Sequence, residues 1–216
     1  MNLGTLSFLL SLYILKVVAL LLILKPLTMI FTSYKNFYNN TFKQMFFSEL
    51  IFLFVEGYME FLISGSLAIF APEISIDKTN YAVSTAYTCL AVAVIIIPGL
   101  YIWVLLKPID KLQEEDFKIR WGSLFMDINP RKKVNYLYPF VFVLRRLLFV
   151  VIAFQLRWFS ALQIMALNYV NMFSIIYIGN FLPLENRIRN RMEFINEIII
   201  AIINLHLFCF TEFLDS

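Results

Sequence analysis

Apolar residues in this chain gather into long runs, without the strict alternation of a half-buried strand or the narrow stripe of a soluble surface helix. The runs lie at 6–30, 46–70, 83–106, 138–156, 162–182 and 192–213. At about 1.5 Å per residue, roughly 20 apolar residues cross a hydrocarbon core, so each run predicts a spanning helix. The expected fold class is all-α: a polytopic integral membrane helical bundle of about six transmembrane helices, forming a single transmembrane domain over residues 1–216. A closed barrel is disfavoured, because its strands would alternate apolar and polar residues over about ten positions. The first run contains Lys16 and ends at Lys25 and Pro26. It lacks a basic leading segment and a small-residue cleavage site, so it reads as a retained helix and not as a signal peptide. In the third run Pro98 and Gly99 offer a kink. No internal repeat is evident.

The polar segments between runs set the orientation. The longest, 107–135, reads KPIDKLQEEDFKIRWGSLFMDINPRKKVN and mixes acids and bases with Trp121, Leu124 and Phe125. That mixture predicts a short amphipathic element lying on a membrane surface. Basic residues concentrate in alternate connectors: Lys25, Lys35 and Lys43; then Lys107, Lys111, Lys118, Arg120, Arg131, Lys132 and Lys133; then Arg187, Arg189 and Arg191. The intervening connectors carry only Lys78 and Arg157. Lys and Arg stay on the cytoplasmic side, so both termini are expected on the non-cytoplasmic side. The acidic end EFLDS agrees. The sequon Asn39-Asn40-Thr41 falls in a connector that the charge count places inside; such triplets arise often by chance, and the charge count takes precedence.

Composition supports the same solvent. Hydrophobic residues make up 61% of the chain and charged residues 15%, and mean hydropathy is +0.77. A formal net charge of +3, with the bases confined to connectors, gives no argument for nucleic acid as a partner. Cys89 and Cys209 both lie in apolar runs and read as small buried hydrophobes; no disulfide framework or zinc spacing exists.

Catalytic constellations are absent as well. His206 is the only histidine, and no GxSxG, HExxH or glycine-rich phosphate loop occurs, so neither enzyme activity, a cofactor nor a metal is expected. The informative residues are charges at membrane depth, where each costs several kcal/mol unless paired or hydrated. Glu49, Glu56 and Glu60 fall within about 40° of one another on a helix. Arg145 and Arg146 sit inside the fourth run, and the expectation is that Glu56 or Glu60 meets one of them across a helix interface. Such a pair fixes helix register or, as the alternative, serves ion coordination. Two adjacent arginines lack the every-third-residue recurrence of a voltage sensor. Glu193, Glu197 and Asn204 share a face of the sixth run and form a candidate ion path, or else lie at the interface beside Arg189 and Arg191. Asn168, Asn171 and His206 are expected interhelical hydrogen-bonding residues. Trp103, Tyr136, Tyr138 and Trp158 are placed near the interfaces.

Several ordered strings carry a resemblance: EGYMEFLISGSLAI in the second run, DKLQEEDFKIRWGSLF in the inner connector, LYPFVFVLRRLLFVVIA in the fourth run, and PLENRIRNRMEFINE with HLFCFTEF in the sixth. Together they resemble the TRP-like (polycystin and fungal flavin-carrier related) membrane domain of ciliates, over residues 42–216. The resemblance implies an all-helical membrane domain of cation-channel ancestry with its N-terminus outside. Family members continue past the position of FTEF with at least one further span and carry a large extracellular region before the first, and this chain departs from both patterns. Two functions therefore stand side by side. One is a TRP-like cation-channel-related protein with runs four to six as its core. The other is a non-conducting membrane anchor or assembly subunit of a larger complex. Lipids are the expected contacts in both, with copies of itself or other membrane subunits as partners, in the plasma membrane sooner than in an organelle.

Overall fold

The computed structural model describes residues 4–24, 26, 34–70, 87–88, 90–125, 127–130 and 132–211. In chain order the helices are α1 (Gly4–Ala19), α2 (Tyr34–Lys43), α3 (Leu50–Glu56), α4 (Tyr58–Phe70), α5 (Ile97–Leu105), α6 (Ile109–Gln113), α7 (Glu115–Trp121), α8 (Tyr138–Gln155), α9 (Ser160–Phe181) and α10 (Arg187–Phe208). Wider π turns extend α1 over Leu20–Leu24, join α2 to α3 over Gln44–Glu49, and precede α5 over Val92–Ile96. The regular elements among the described residues are all helical; the strand-like contact is an isolated antiparallel bridge between Ile128 and Leu184. The chain divides into two compact units, Met1–Phe61 with Leu106–Met126, and Leu62–Leu105 with Asp127–Ser216.

The polar helix α2 runs through the π turns into apolar α3, and the axis then bends by 50° between Tyr38–Glu56 and Tyr58–Leu67. The bend falls at Gly57, whose N–H donates to the Leu53 carbonyl at 2.9 Å and whose carbonyl accepts from the Phe61 N–H at 3.0 Å, so hydrogen bonding continues through it. The inner connector is largely helical. Pro108 opens α6 with a fixed φ, and the extended backbone of Glu114 separates α6 from α7. Leu112 and Leu124 turn inward, while Lys111, Glu114, Glu115 and Lys118 face outward, as an amphipathic element requires. This element is held to the Gln44–Glu49 segment through Trp121, 6.2 Å ring to ring from Phe47, and through Arg120, 6.0 Å above the same ring. Lys43 adds an ion pair with Asp116 at 2.8 Å.

The second unit contains α5 and the antiparallel series α8, α9 and α10. Ile97, Tyr101 and Val104 form the buried face of α5, continued at helical spacing by Ala93 in the preceding π turns. Pro98 lies inside the continuous helical stretch Val92–Leu105, directly after the π turns, and having no N–H it donates no ladder bond there. Buried Val143 and Val150 lie seven residues apart on α8, as do buried Asn190 and Glu197 on α10. Helix α10 begins where the Asn186 side chain accepts from the Ile188 N–H at 2.9 Å. Gly179 lets α9 approach α10 closely: a β-carbon there would stand 3.3 Å from Phe194 Cε2.

Among the described residues, two helical segments are long and apolar enough to cross a membrane, Lys133–Gln155 and Ser160–Phe181, and a third if the bent pair Tyr38–Glu56 and Tyr58–Leu67 is one span. These correspond to the fourth, fifth and second expected spans. The first and third are represented by shorter apolar helices, Ser11–Leu22 and Val92–Leu105, and Lys78 and Cys89 lie outside the described residues. The sixth is a helix of 22 residues that starts five residues earlier than the apolar run. Its first half carries Arg187, Arg189, Arg191, Glu193 and Glu197, which leaves too short an apolar stretch for it to qualify by composition.

Candidate functional site

The interior of the second unit is polar where three helices meet. Arg145 comes from the middle of α8, in a run where every neighbour but Arg146 is apolar. Its guanidinium Nη1 donates to Glu197 Oε1 on α10. Glu197 is 2% exposed, whereas the Arg145 side chain keeps 23% of its surface, so the carboxylate is withdrawn from the surroundings and the guanidinium only in part. On α9, Asn171 donates from Nδ2 to the backbone carbonyl of Glu197 at 3.0 Å. Ser174, almost one turn further along α9, donates to the carbonyl of Val170 at 3.3 Å. Glu197 is thus held by its side chain to α8 and by its backbone to α9. Its second oxygen, Oε2, and Asn171 Oδ1 have no hydrogen-bond partner among the described residues. Glu193, one turn earlier on α10, lies within electrostatic reach of Glu197 and Tyr138.

Opposite charges brought together offset a desolvation that neither tolerates alone. The arrangement therefore explains how an arginine and a glutamate can occupy the inside of a helical bundle, and it fixes the relative height of α8, α9 and α10.

The other residues singled out from sequence are distributed as follows. The arginine expectation named Glu56 or Glu60 as partner; the carboxylate that Arg145 meets is Glu197, which sequence pattern had assigned to a separate polar stripe. The guanidinium of Arg146 lies 4.1 Å above the ring of Phe142. Glu56 is exposed beside the Gly57 bend, and Glu60 is half-buried with Oε2 unpartnered among the described residues. Glu49, on the same stripe, pairs with Lys16 of α1 at 3.2 Å. Asn204 is half-buried and His206 is exposed, edge-on to Phe210 with ring centroids 5.4 Å apart. No group of three or more His, Cys, Asp or Glu side chains placed to hold a metal ion occurs among the described residues.

A second polar junction was not expected from sequence. The N–H of Asn129 donates to the Pro183 carbonyl at 2.9 Å, and the N–H of Glu185 donates to the Asp127 carbonyl at 2.9 Å, on either side of the Ile128–Leu184 bridge. Asn190 clasps Leu184 from α10, accepting from its N–H at 3.0 Å and donating to its carbonyl at 2.7 Å. Arg189 pairs with Asp127. Asp127 and Leu182 adopt positive φ, 62° and 45°, on the two segments joined here. The signal available in sequence was Asn190 itself: a buried asparagine seven residues before Glu197 on one face of a helix.

No protein-family model matches this chain, and no curated protein and no solved structure matches it either.

Proposed function

We propose that the chain is an integral membrane protein of about six spans that serves as a non-conducting anchor or assembly subunit of a larger membrane complex. The observation that carries this reading is the Arg145–Glu197 pair at the junction of α8, α9 and α10, whose carboxylate is buried. A carboxylate committed to a guanidinium and sealed at 2% exposure belongs to a register lock, whereas a permeation path needs carboxylates that water reaches. The number of spans rests on the apolar runs and on the alternation of basic connectors, which place 107–135 and 183–191 on one side of the bilayer and Arg157 on the other. The broad apolar exteriors of α9 and α10, with Tyr169, Phe173, Ile195, Ile199 and Ile202 exposed, suit lipid and the helices of neighbouring subunits.

A second reading is favoured by the ordered strings in the second, fourth and sixth runs: descent from the TRP-like membrane domain, with α8–α10 as the retained core. The two separate in one pair of measurements. Isolation from native membranes in mild detergent is expected to bring other membrane subunits with the chain in fixed stoichiometry, and the chain alone in planar bilayers is expected to pass no current. A chain isolated without partners, with a cation conductance that Glu193→Gln alters, contradicts the subunit reading and supports the channel-related one.

A further inference from the structure

The bridge between Ile128 and Leu184 gathers charge that the sequence keeps apart. Lys132 and Lys133 precede α8, and Arg187, Arg189 and Arg191 open α10, more than 50 residues later. The paired backbones of 127–129 and 183–185 bring these two groups to one end of the second unit. All five cations are exposed. Among the described residues of the two segments, two carboxylates stand beside them, Asp127 and Glu185, and Asp127 is engaged by Arg189, so cations outnumber the remaining carboxylate, with half-buried Glu193 further along α10.

The surroundings decide what such a patch takes. It sits where the apolar segment Lys133–Gln155 begins and where Ser160–Phe181 ends. Beside the cations, Val134, Phe181, Leu182 and Ile188 are exposed apolar side chains. A rim of cations above an apolar skirt fits an amphiphile with an anionic head and acyl chains, and fits a soluble acidic protein poorly. The two strained residues, Asp127 and Leu182, and the Asn190 clasp hold both cationic segments in place, so little ordering is needed on binding. We propose that this end of the second unit is a docking surface for the headgroups of anionic phospholipids in the surrounding leaflet.

The inference rests on the membrane reading above, and its test keeps the two apart. The full chain is reconstituted into phosphatidylcholine vesicles and into vesicles that also contain phosphatidylserine. Flotation reports insertion, and spin-labelled phosphatidylserine and phosphatidylcholine report which lipid is immobilised at the protein surface. A preference of severalfold or more for the anionic probe is expected, weakening as salt rises, since each surface cation contributes on the order of fivefold at low salt. The combined variant Lys132→Gln, Lys133→Gln, Arg187→Gln and Arg191→Gln is expected to lose most of that preference, and Lys118→Gln, on α7 in the other unit, to keep it. Arg189 is left in place to preserve its contact with Asp127. Equal immobilisation of both probes, a preference untouched by the fourfold variant, or displacement of the lipid by an acidic peptide would overturn the lipid assignment while leaving insertion intact. A chain that floats with neither vesicle would overturn the membrane reading itself and the inference with it.

Discussion

At the scale of single residues, the feature with most consequence is the pairing of Arg145 with Glu197. Both were recognisable in sequence as charges stranded in apolar runs, and their need for opposite partners was legible. Which carboxylate meets which arginine was not, because helical-wheel angles place residues on a face without saying which helices adjoin. Glu56 and Glu60 satisfied the same rule on paper as Glu197 did. Arg145→Met leaves the buried Glu197 carboxylate uncompensated and is expected to destabilise the detergent-solubilised protein by about 3–5 kcal/mol, and Glu197→Gln, which leaves a partly exposed guanidinium, by less. The double variant Arg145→Met with Glu197→Leu is expected to recover most of that loss in the same thermal melts. Additive losses in the double variant would mean that the two side chains do not act as a pair. Asp116 gives a milder case outside the apolar helices. The Lys43 hydrogen bond, joined by the charges of Arg120 and Lys43 and opposed by a smaller desolvation, holds its carboxyl below the ordinary value of 3.8. A carboxylate with a depressed folded value stabilises the fold above the unfolded value and loses that contribution as pH falls through the folded one. The contact of α7 with the end of α2 is thus expected to be unchanged between neutral pH and pH 5 and to loosen only under more acid conditions. Hydrogen exchange of α7 amides across that range measures it, and loosening already near neutral pH would contradict it.

Among the elements, α8 and α9 were the most legible, because each is a long apolar run with a polar break at either end. The runs anticipated 138–156 and 162–182, and the helices are Tyr138–Gln155 and Ser160–Phe181. The start of α10 was misjudged because hydrophobicity begins at Met192, whereas the helix begins at Arg187, where Asn186 can cap it. Arginines are good helix formers, so a basic segment after a capping asparagine continues as helix. The inner connector was anticipated as an amphipathic element, and its division into α6 and α7 at Glu114 was not, since nothing about a glutamate announces an extended backbone. The Ile128–Leu184 bridge joins segments far apart in the chain and could not be seen from local pattern. Packing of α9 against α10 turns on Gly179. Gly179→Ala is expected to be nearly neutral, because the helix preference of alanine, about 1 kcal/mol, is set against a few tenths of an ångström demanded of Phe194. Gly179→Leu is expected to lower the melting temperature clearly, with partial rescue by Phe194→Ala. A leucine tolerated without loss would show that the helices are not in close contact at this point.

For the whole molecule, composition and run length were enough to anticipate that the regular elements among the described residues are helical and that two or three helical segments are long and apolar enough to cross a membrane. Among the described residues fewer helices than the six runs qualify on their own: the sixth carries its charges inside the helix, the second is bent at Gly57, and the first and third are shorter apolar helices. The account depends on lipid being the solvent for these segments and on the basic connectors sharing one face of the bilayer. That is tested most directly by single cysteines, placed in a chain freed of Cys89 and Cys209, at Lys111, Lys132, Arg187 and Arg157, and probed in sealed native vesicles with a membrane-impermeant maleimide. The account predicts that Lys111→Cys, Lys132→Cys and Arg187→Cys react from one side and Arg157→Cys only from the other. Labelling of Arg157→Cys from the same side as the other three, or release of the chain from the vesicles by carbonate, would contradict it.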